Sequence, residues 1–299
     1  MAASVKQRLL NQARSEGREL QSLLTMYAME GFLRRLSASS YADRFVLKGG
    51  LLLRVWEGGA ARPTVDADFL GYVENDPESL ARIAREICAS EVTDDGMRYD
   101  LQTLRSEPIA EDTDYGGVRV TFTAYLGKAR ARMRIDIGFG DVVVPPPERV
   151  AYPVLLADME RPNLRVYSRE STVAEKFEAM ARLGDLNSRM KDFYDIWTLS
   201  RHFAFDGSVL RRAVSETFHQ RRAEVPEQAR AFGPSFAESE TKQVQWAAFL
   251  RKGRLEGAPR EFARLMRDVV LFLGPVARAC SRGEPLDLHW QPPGPWQDA

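Results

Sequence analysis

Cysteine is nearly absent: the 299 residues include two, Cys88 and Cys280. They form no metal-binding or disulfide spacing, which excludes a disulfide-stapled scaffold and fits a reducing compartment. Histidine is almost as scarce. His202, His219 and His289 are scattered along the chain, so a histidine-rich metal centre is excluded. No stretch approaches the roughly 20 apolar residues that a membrane span needs. The opening MAASVKQRLLNQARSEGREL has no apolar core of a secretory leader. A cytoplasmic chain with no membrane contact is the expectation. Net charge is missing too: 42 Lys and Arg balance 42 Asp and Glu, which argues against a uniformly basic nucleic-acid binder.

The charge that is present is unevenly spread. Acids outnumber bases from about Thr64 to Tyr115, whereas nine bases face three acids between Lys242 and Arg282. The pattern fits an acidic ion-binding pocket and a basic polyanion surface, and equally fits ordinary solvated helix faces.

Apolar positions recur at helical steps over residues 4–38. RFVLK (44–48) reads as a short strand broken by Gly49 and Gly50, after which LLLRVWE starts a helix. GGAARP (58–63) reads as a loop. TVDADFLGYV (64–73) alternates as a strand does. A helix follows over 77–90 with Asp76 as its cap, then strands around 98–106, 117–125 and 131–141. VVVPPPERVAYP reads as a rigid connector, and the pattern from Ser168 onward is helical, with an irregular tail HWQPPGPWQDA. The expected architecture is α+β and bilobed: residues 1–165 hold a mixed sheet with helices, and 166–299 form a helical lobe.

Asp66 and Asp68 stand two apart in a strand and therefore share a face. Side by side they repel, and a hard divalent cation resolves the conflict. Gly49 and Gly50 lie at a strand-to-helix junction, where a phosphate can approach backbone amides and a helix N-terminus. Asp136, in RIDIGFGD, sits on a later strand between Ile135 and Ile137 and adds a third carboxylate. It is a candidate ion ligand, or a base for in-line displacement at phosphorus. Farther on, STVAEKFEAMARLGDLNSRMKDFYDIWTLSRHF (171–203) reads as two helices joined by a short turn, with a capping box at Thr172 and Glu175. Lys176 on the first helix can reach a carboxylate of the second, where Asp192 and Asp195 lie one turn apart. That pair reads either as an interhelical salt bridge or as a phosphate-binding lysine with its positioning acid.

The residues Lys48, Gly49, Gly50, Arg62, Thr64, Asp66, Asp68 and Phe69 form KGG…R-x-T-x-D-x-D-F, which resembles the first motif of the AbiEii/AbiGii toxin family of nucleotidyltransferases, the MenT-like toxins. These belong to the DNA polymerase β-type superfamily. AEK (174–176) with R-x-K-D-F-x-D-I (189–196) is similar to that family's second signature. The broader superfamily usually has serine or threonine after the second glycine; this chain has Leu51.

The resemblance implies a nucleotidyltransferase-type fold and a toxin that transfers a nucleoside monophosphate (NMP) from a nucleoside triphosphate (NTP) to the 3′ acceptor end of tRNA, which blocks aminoacylation. It implies Mg2+, two ions on Asp66, Asp68 and Asp136, and a nearby AbiEi-like antitoxin as partner. Asp66, Asp68, Lys176 and Asp192 match the family's essential residues. Lys48, Gly49, Gly50, Arg62, Thr64 and Lys176 would bind the NTP. Arg211, Arg212, Arg221, Arg222 and the basic run from Arg251 to Arg267 are candidates for an RNA track. Two other readings stand beside this one. A small-molecule transferase of the aminoglycoside type would need an acidic acceptor pocket. A non-catalytic binding module would not need all three carboxylates and Lys176.

Overall fold

The computed structural model of the protein describes residues 1–57, 62–64, 66–109 and 116–298. The chain divides into two compact units, Met1–Asp141 with Pro147–Tyr167, and Val142–Pro146 with Ser168–Ala299. Among the described residues, no helix is long and apolar enough to cross a membrane.

The first unit opens with α1 (Ala2–Ser15) and α2 (Leu20–Ala38). The sequence pattern predicts one helix over this span. Gly17 interrupts it at φ 63°, a left-handed conformation that glycine adopts without steric cost. There follow β1 (Phe45–Lys48), α3 (Gly49–Glu57), β2 (Ala67–Gly71), α4 (Pro77–Ala89), β3 (Met97–Ile109), β4 (Gly117–Leu126), β5 (Ala129–Gly138), β6 (Glu148–Ala151) and β7 (Asn163–Val166). Residues 58–61 of the expected loop and Val65 of the expected strand lie outside the described residues. Asp76 caps α4 by accepting from the Ser79 amide at 2.7 Å, as its place before Pro77 predicts.

The strands form a mixed sheet in the order β3-β4-β5-β2-β1-β7-β6. β2 runs parallel to β5 and antiparallel to β1. The two faces follow the period-two pattern. Val118, Val120, Phe122, Ala124 and Leu126 of β4 and Ala131, Met133, Ile135 and Ile137 of β5 are buried. α2 packs on β4 and β5, and α4 packs on β3 and β4. Asp95 anchors this layer, its buried carboxylate meeting Arg34 at 3.1 Å and Arg35 at 2.7 Å. The alternate residues on β4 and β5 face the open side. β6 falls inside the segment expected to be a connector. Its four residues adjoin the proline run 145–147, whose local signal for extended, unpaired backbone outweighs so short a pattern.

The second unit holds α5 (Arg169–Leu183), α6 (Met190–His202), β8 (Phe205–Asp206), α7 (Gly207–Gln220), α8 (Pro234–Ala237), α9 (Glu240–Gly253), α10 (Phe262–Arg282), β9 (Leu288–Trp290) and β10 (Trp296–Asp298). Its core is aromatic: Phe177 stacks on Phe232 at 5.6 Å, and Phe193 meets Phe262 edge-on at 5.3 Å. α5 begins one turn earlier than the Thr172 capping pattern predicts. Ser168 is the cap: it accepts from the Ser171 amide and donates to the Val144 carbonyl. Gly184, at φ 48°, ends the helix. The tail is ordered, contrary to the expectation of irregular chain. β9 pairs with both β8 and β10, and the Trp290 indole donates to the Ser200 carbonyl at 2.6 Å.

Candidate functional site

In the first unit the chain turns from strand to helix with no intervening residue, β1 ending at Lys48 and α3 starting at Gly49. Gly49 has φ 70° and lies against Asp68; a methyl group there would sit 2.7 Å from the Asp68 carboxyl carbon. A methyl on Gly50 would stand 2.8 Å from the Thr64 hydroxyl and 3.3 Å from Arg62 Nη1. The two halves of the first motif, KGG and R-x-T-x-D-x-D, are therefore one packed object, and each glycine is required by a close approach. Leu51 is buried, so the hydroxyl next to the turn comes from Thr64 rather than from the residue after Gly50.

The strand register then builds a row of charge across the sheet. Lys48 pairs with Asp68, Asp68 with Asp136, Asp136 with Arg119, and Arg119 with Glu107. Directly paired residues share a face, so Asp68 and Asp136 point to the same side. Lys48 Nζ lies 2.6 Å from Asp141 and over the Tyr167 ring. Arg119 grips Asp136 in a two-pronged ion pair, at 2.8 Å from Nε and 2.9 Å from Nη2. Arg134 approaches the same carboxylate at 3.2 Å and reaches Asp66 at 3.8 Å. Burial pushes the Asp136 carboxyl up, but the Arg119 and Arg134 guanidiniums outweigh it and hold it below the usual carboxylate range.

Among the described residues, no three Asp, Glu, His or Cys side chains stand close enough together to hold a metal ion. Asp66 and Asp68 offer hard oxygen donors, the type that holds a magnesium-like ion whose remaining ligands are substrate phosphates. That donor pair fits such an ion. Asp136, as it stands, is committed to two guanidiniums.

The second unit contains a separate cluster. Lys176 Nζ of α5 lies 2.8 Å from Asp192 and 2.8 Å from Asp195, both on α6. Both carboxylates are fully buried, while the lysine side chain keeps 12% exposure. Arg189 Nε stands 2.6 Å from the second Asp192 oxygen, as an ion pair without hydrogen-bond alignment. Burial pushes Asp192 up; the Lys176 and Arg189 charges overcome it and keep the carboxyl below its usual range. Two buried anions thus face one nearly buried cation, Lys176, and one half-exposed cation, Arg189. Lys242, one of the residues that make the chain's last third basic, is also structural. It is buried and donates to the carbonyls of Asp185 and Asn187, which fixes the turn leading into α6.

Sequence reasoning missed four participants. Asp195 was visible in the second signature but was not assigned to the site. Arg134 is legible from the strand period, which puts it on the same face as Asp136, two residues away, but that reading assigns it no role; Arg119 and Asp141 meet the site through register and side-chain reach, neither of which composition reveals. Arg221, a candidate for an RNA track, is instead bound to Glu178 at 2.5 Å. Arg212, Arg222, Arg251, Lys252, Arg254, Arg260, Arg264 and Arg267 are exposed.

A family model described as nucleotidyl transferase AbiEii toxin, type IV toxin–antitoxin system, matches residues 31–268. Two solved structures from Helicobacter pylori are similar. One is described as a candidate nucleotidyltransferase, with 14% identity, 88% of this chain and 96% of that chain covered, and a TM-score of 0.45. The other is JHP933, with 15% identity, 88% and 93% coverage, and a TM-score of 0.45. No curated protein matches the sequence.

Proposed function

The chain belongs to the AbiEii nucleotidyltransferase toxin family, and from that premise we propose that it transfers NMP from an NTP to the 3′ acceptor end of tRNA with a divalent ion, Mg2+, held by Asp66 and Asp68. One observation carries the proposal: the strand-to-helix glycine turn is packed against Asp68, Thr64 and Arg62, so a phosphate-binding element and a hard oxygen donor of the Asp66–Asp68 motif form one unit. A bound divalent ion supplies Lewis-acid stabilisation of the charge that develops on the triphosphate.

This chain's residues do the rest. The Gly49–Gly50 turn and the first amides of α3 receive phosphate oxygens, with the Thr64 hydroxyl and Arg62 beside Gly50. Lys176, which the family resemblance marks as essential, is the candidate cation for the triphosphate; within the second unit it is held by Asp192 and Asp195. The acceptor 3′-hydroxyl attacks the α-phosphorus, the bond from that phosphorus to the bridging oxygen breaks, and pyrophosphate leaves. Asp136 takes the hydroxyl proton once Arg119 and Arg134 shift from its oxygens to phosphate. The expected partner is an AbiEi-like antitoxin, and the expected setting is the cytoplasm.

Incubating the protein with Mg2+, each labelled NTP in turn and total tRNA tests the reading. Label in the acceptor end of tRNA supports it. Label on a small amine supports the aminoglycoside-type alternative, and no label with any acceptor defeats it.

The glycine turn makes its own prediction. Gly49→Ala places a methyl group into the Asp68 carboxylate at a φ that alanine rarely adopts. Displacing a reacting group by an ångström costs on the order of a hundredfold, so kcat in the label-transfer assay should fall by about that factor. Gly257→Ala, where a methyl group meets open space, should transfer like the wild type.

A further inference from the structure

The open face of β3, β4 and β5 is patterned in a way the reaction chemistry does not require. On β5 the residues Arg130, Arg132 and Arg134 alternate with buried Ala131, Met133 and Ile135, so three arginines lie on one side. They are spaced about 6.7 Å apart, the two-residue repeat of a strand. The next residue on that side is Asp136, the register partner of Asp68. The ladder therefore runs along the strand straight to the carboxylates. Beside it on β4 stand Tyr125, Thr123 and Thr121, paired respectively with Arg130, Arg132 and Arg134. On β3, Arg98 pairs with Tyr125 and lies over its ring at 4.4 Å. Arg130, Arg132 and Arg98 are exposed, and Arg134 keeps 40% exposure. An ordinary solvated sheet face mixes signs; here, above the Asp136 row, Asp100 is the one acid that the register places among these arginines.

We propose that this face is the track for the single-stranded acceptor end of the RNA, with the Arg130–Arg132–Arg134 ladder on its phosphates and the Arg98–Tyr125 pair as a stacking platform for a base. The proposal rests on the RNA-acceptor reading above and adds where the acceptor lies. Its physics is that of single-strand binding: cations that follow a backbone, and planar groups that accept any base. A strand bound there in one direction brings its 3′ end to Asp136, Asp68 and Asp66, where the attacking hydroxyl is needed.

The test measures binding of a fluorescent single-stranded RNA and of uncharged tRNA by anisotropy across a salt series, for the wild type and for R130E/R132E. Neither residue touches the carboxylate row, so NTP affinity and cooperative melting should match the wild type. RNA affinity should drop at least about tenfold. The slope of log K against log salt should shrink by roughly 1.4, at about 0.7 per lost single-strand phosphate contact. R130Q/R132Q should show a smaller loss of the same kind. A wild type that labels RNA beside a variant with unchanged affinity and slope overturns the track and leaves the transfer reading intact. A wild type that neither binds nor labels RNA overturns both.

Discussion

Replacing Asp66 with alanine is expected to reduce label transfer about a thousandfold or more while leaving the melting temperature nearly unchanged. The stability side follows from exposure. The Asp66 side chain is 36% exposed and meets Arg134 at 3.8 Å, and an exposed ion pair of this kind contributes roughly 0–1 kcal/mol. The activity side follows from chemistry. A carboxylate that holds the divalent ion on a triphosphate serves a stabilisation worth several kcal/mol, and about 4 kcal/mol corresponds to a thousandfold in rate. D66N keeps the shape, loses the charge and should be similarly inactive, which separates ligation from packing. Asp68→Ala should lose as much transfer but also disturb the fold locally, because the Gly49 turn packs on that side chain. Transfer rates and thermal melts on the same preparations decide the matter. A D66A sample that melts like the wild type and transfers at full rate removes Asp66 from the site.

The way the fold was legible in the sequence explains which parts of the site were hidden. A strand's period of two is a local property, so the alternation of Asp68 with buried Ala67 and Phe69 can be read without coordinates, although the strand starts only at Ala67, after Asp66. The same period identifies the buried side of β4 and β5, and a proline after an acid identifies the start of α4. Register is different. That Asp136 stands opposite Asp68 on one side and Arg119 on the other depends on which strands pair and by what offset. No local pattern contains that, so Arg119 remained anonymous among many arginines. Short elements fail for a related reason. β6 and β9 have four and three residues, too few for alternation to outweigh neighbouring prolines, and they form because an existing strand offers them partners. The break at Gly17 and the cap at Ser168 were both written in the sequence, yet each competes with an equally plausible local signal, an apolar helical stripe in one case and the T-x-x-E pattern in the other. Ser168 prevails because its hydroxyl also binds the Val144 carbonyl, a contact made across 24 residues.

Lys176→Met should be strongly destabilising to the second unit. The methionine keeps the aliphatic stem but removes a charge that lies 2.8 Å from each of two fully buried carboxylates. Asp195 and Asp192 are then left one helical turn apart, with Arg189 on Asp192. Breaking a buried ion pair by deleting one partner costs about 3–5 kcal/mol, and at about 2–4 °C per kcal/mol the unit's melting temperature should fall by roughly 10 °C. The pH dependence gives the sign. In the wild type, Asp192 is held below its usual range, so its contribution is present above the unfolded carboxyl value of about 3.9 and is lost as pH falls through the lower folded value. In K176M the unpaired carboxylates prefer their protonated form, and the deficit relative to the wild type should narrow as the medium is acidified toward pH 5. Adding D192N and D195N to K176M removes the buried charge conflict and should restore much of the lost stability at neutral pH. Transfer should stay absent in that triple variant if Lys176 acts on the triphosphate, since Asp192 and Asp195 serve only to position it. Recovery of transfer along with stability would reduce the cluster to a structural salt bridge, and a K176M melt equal to the wild type would contradict the buried ion-pair account itself.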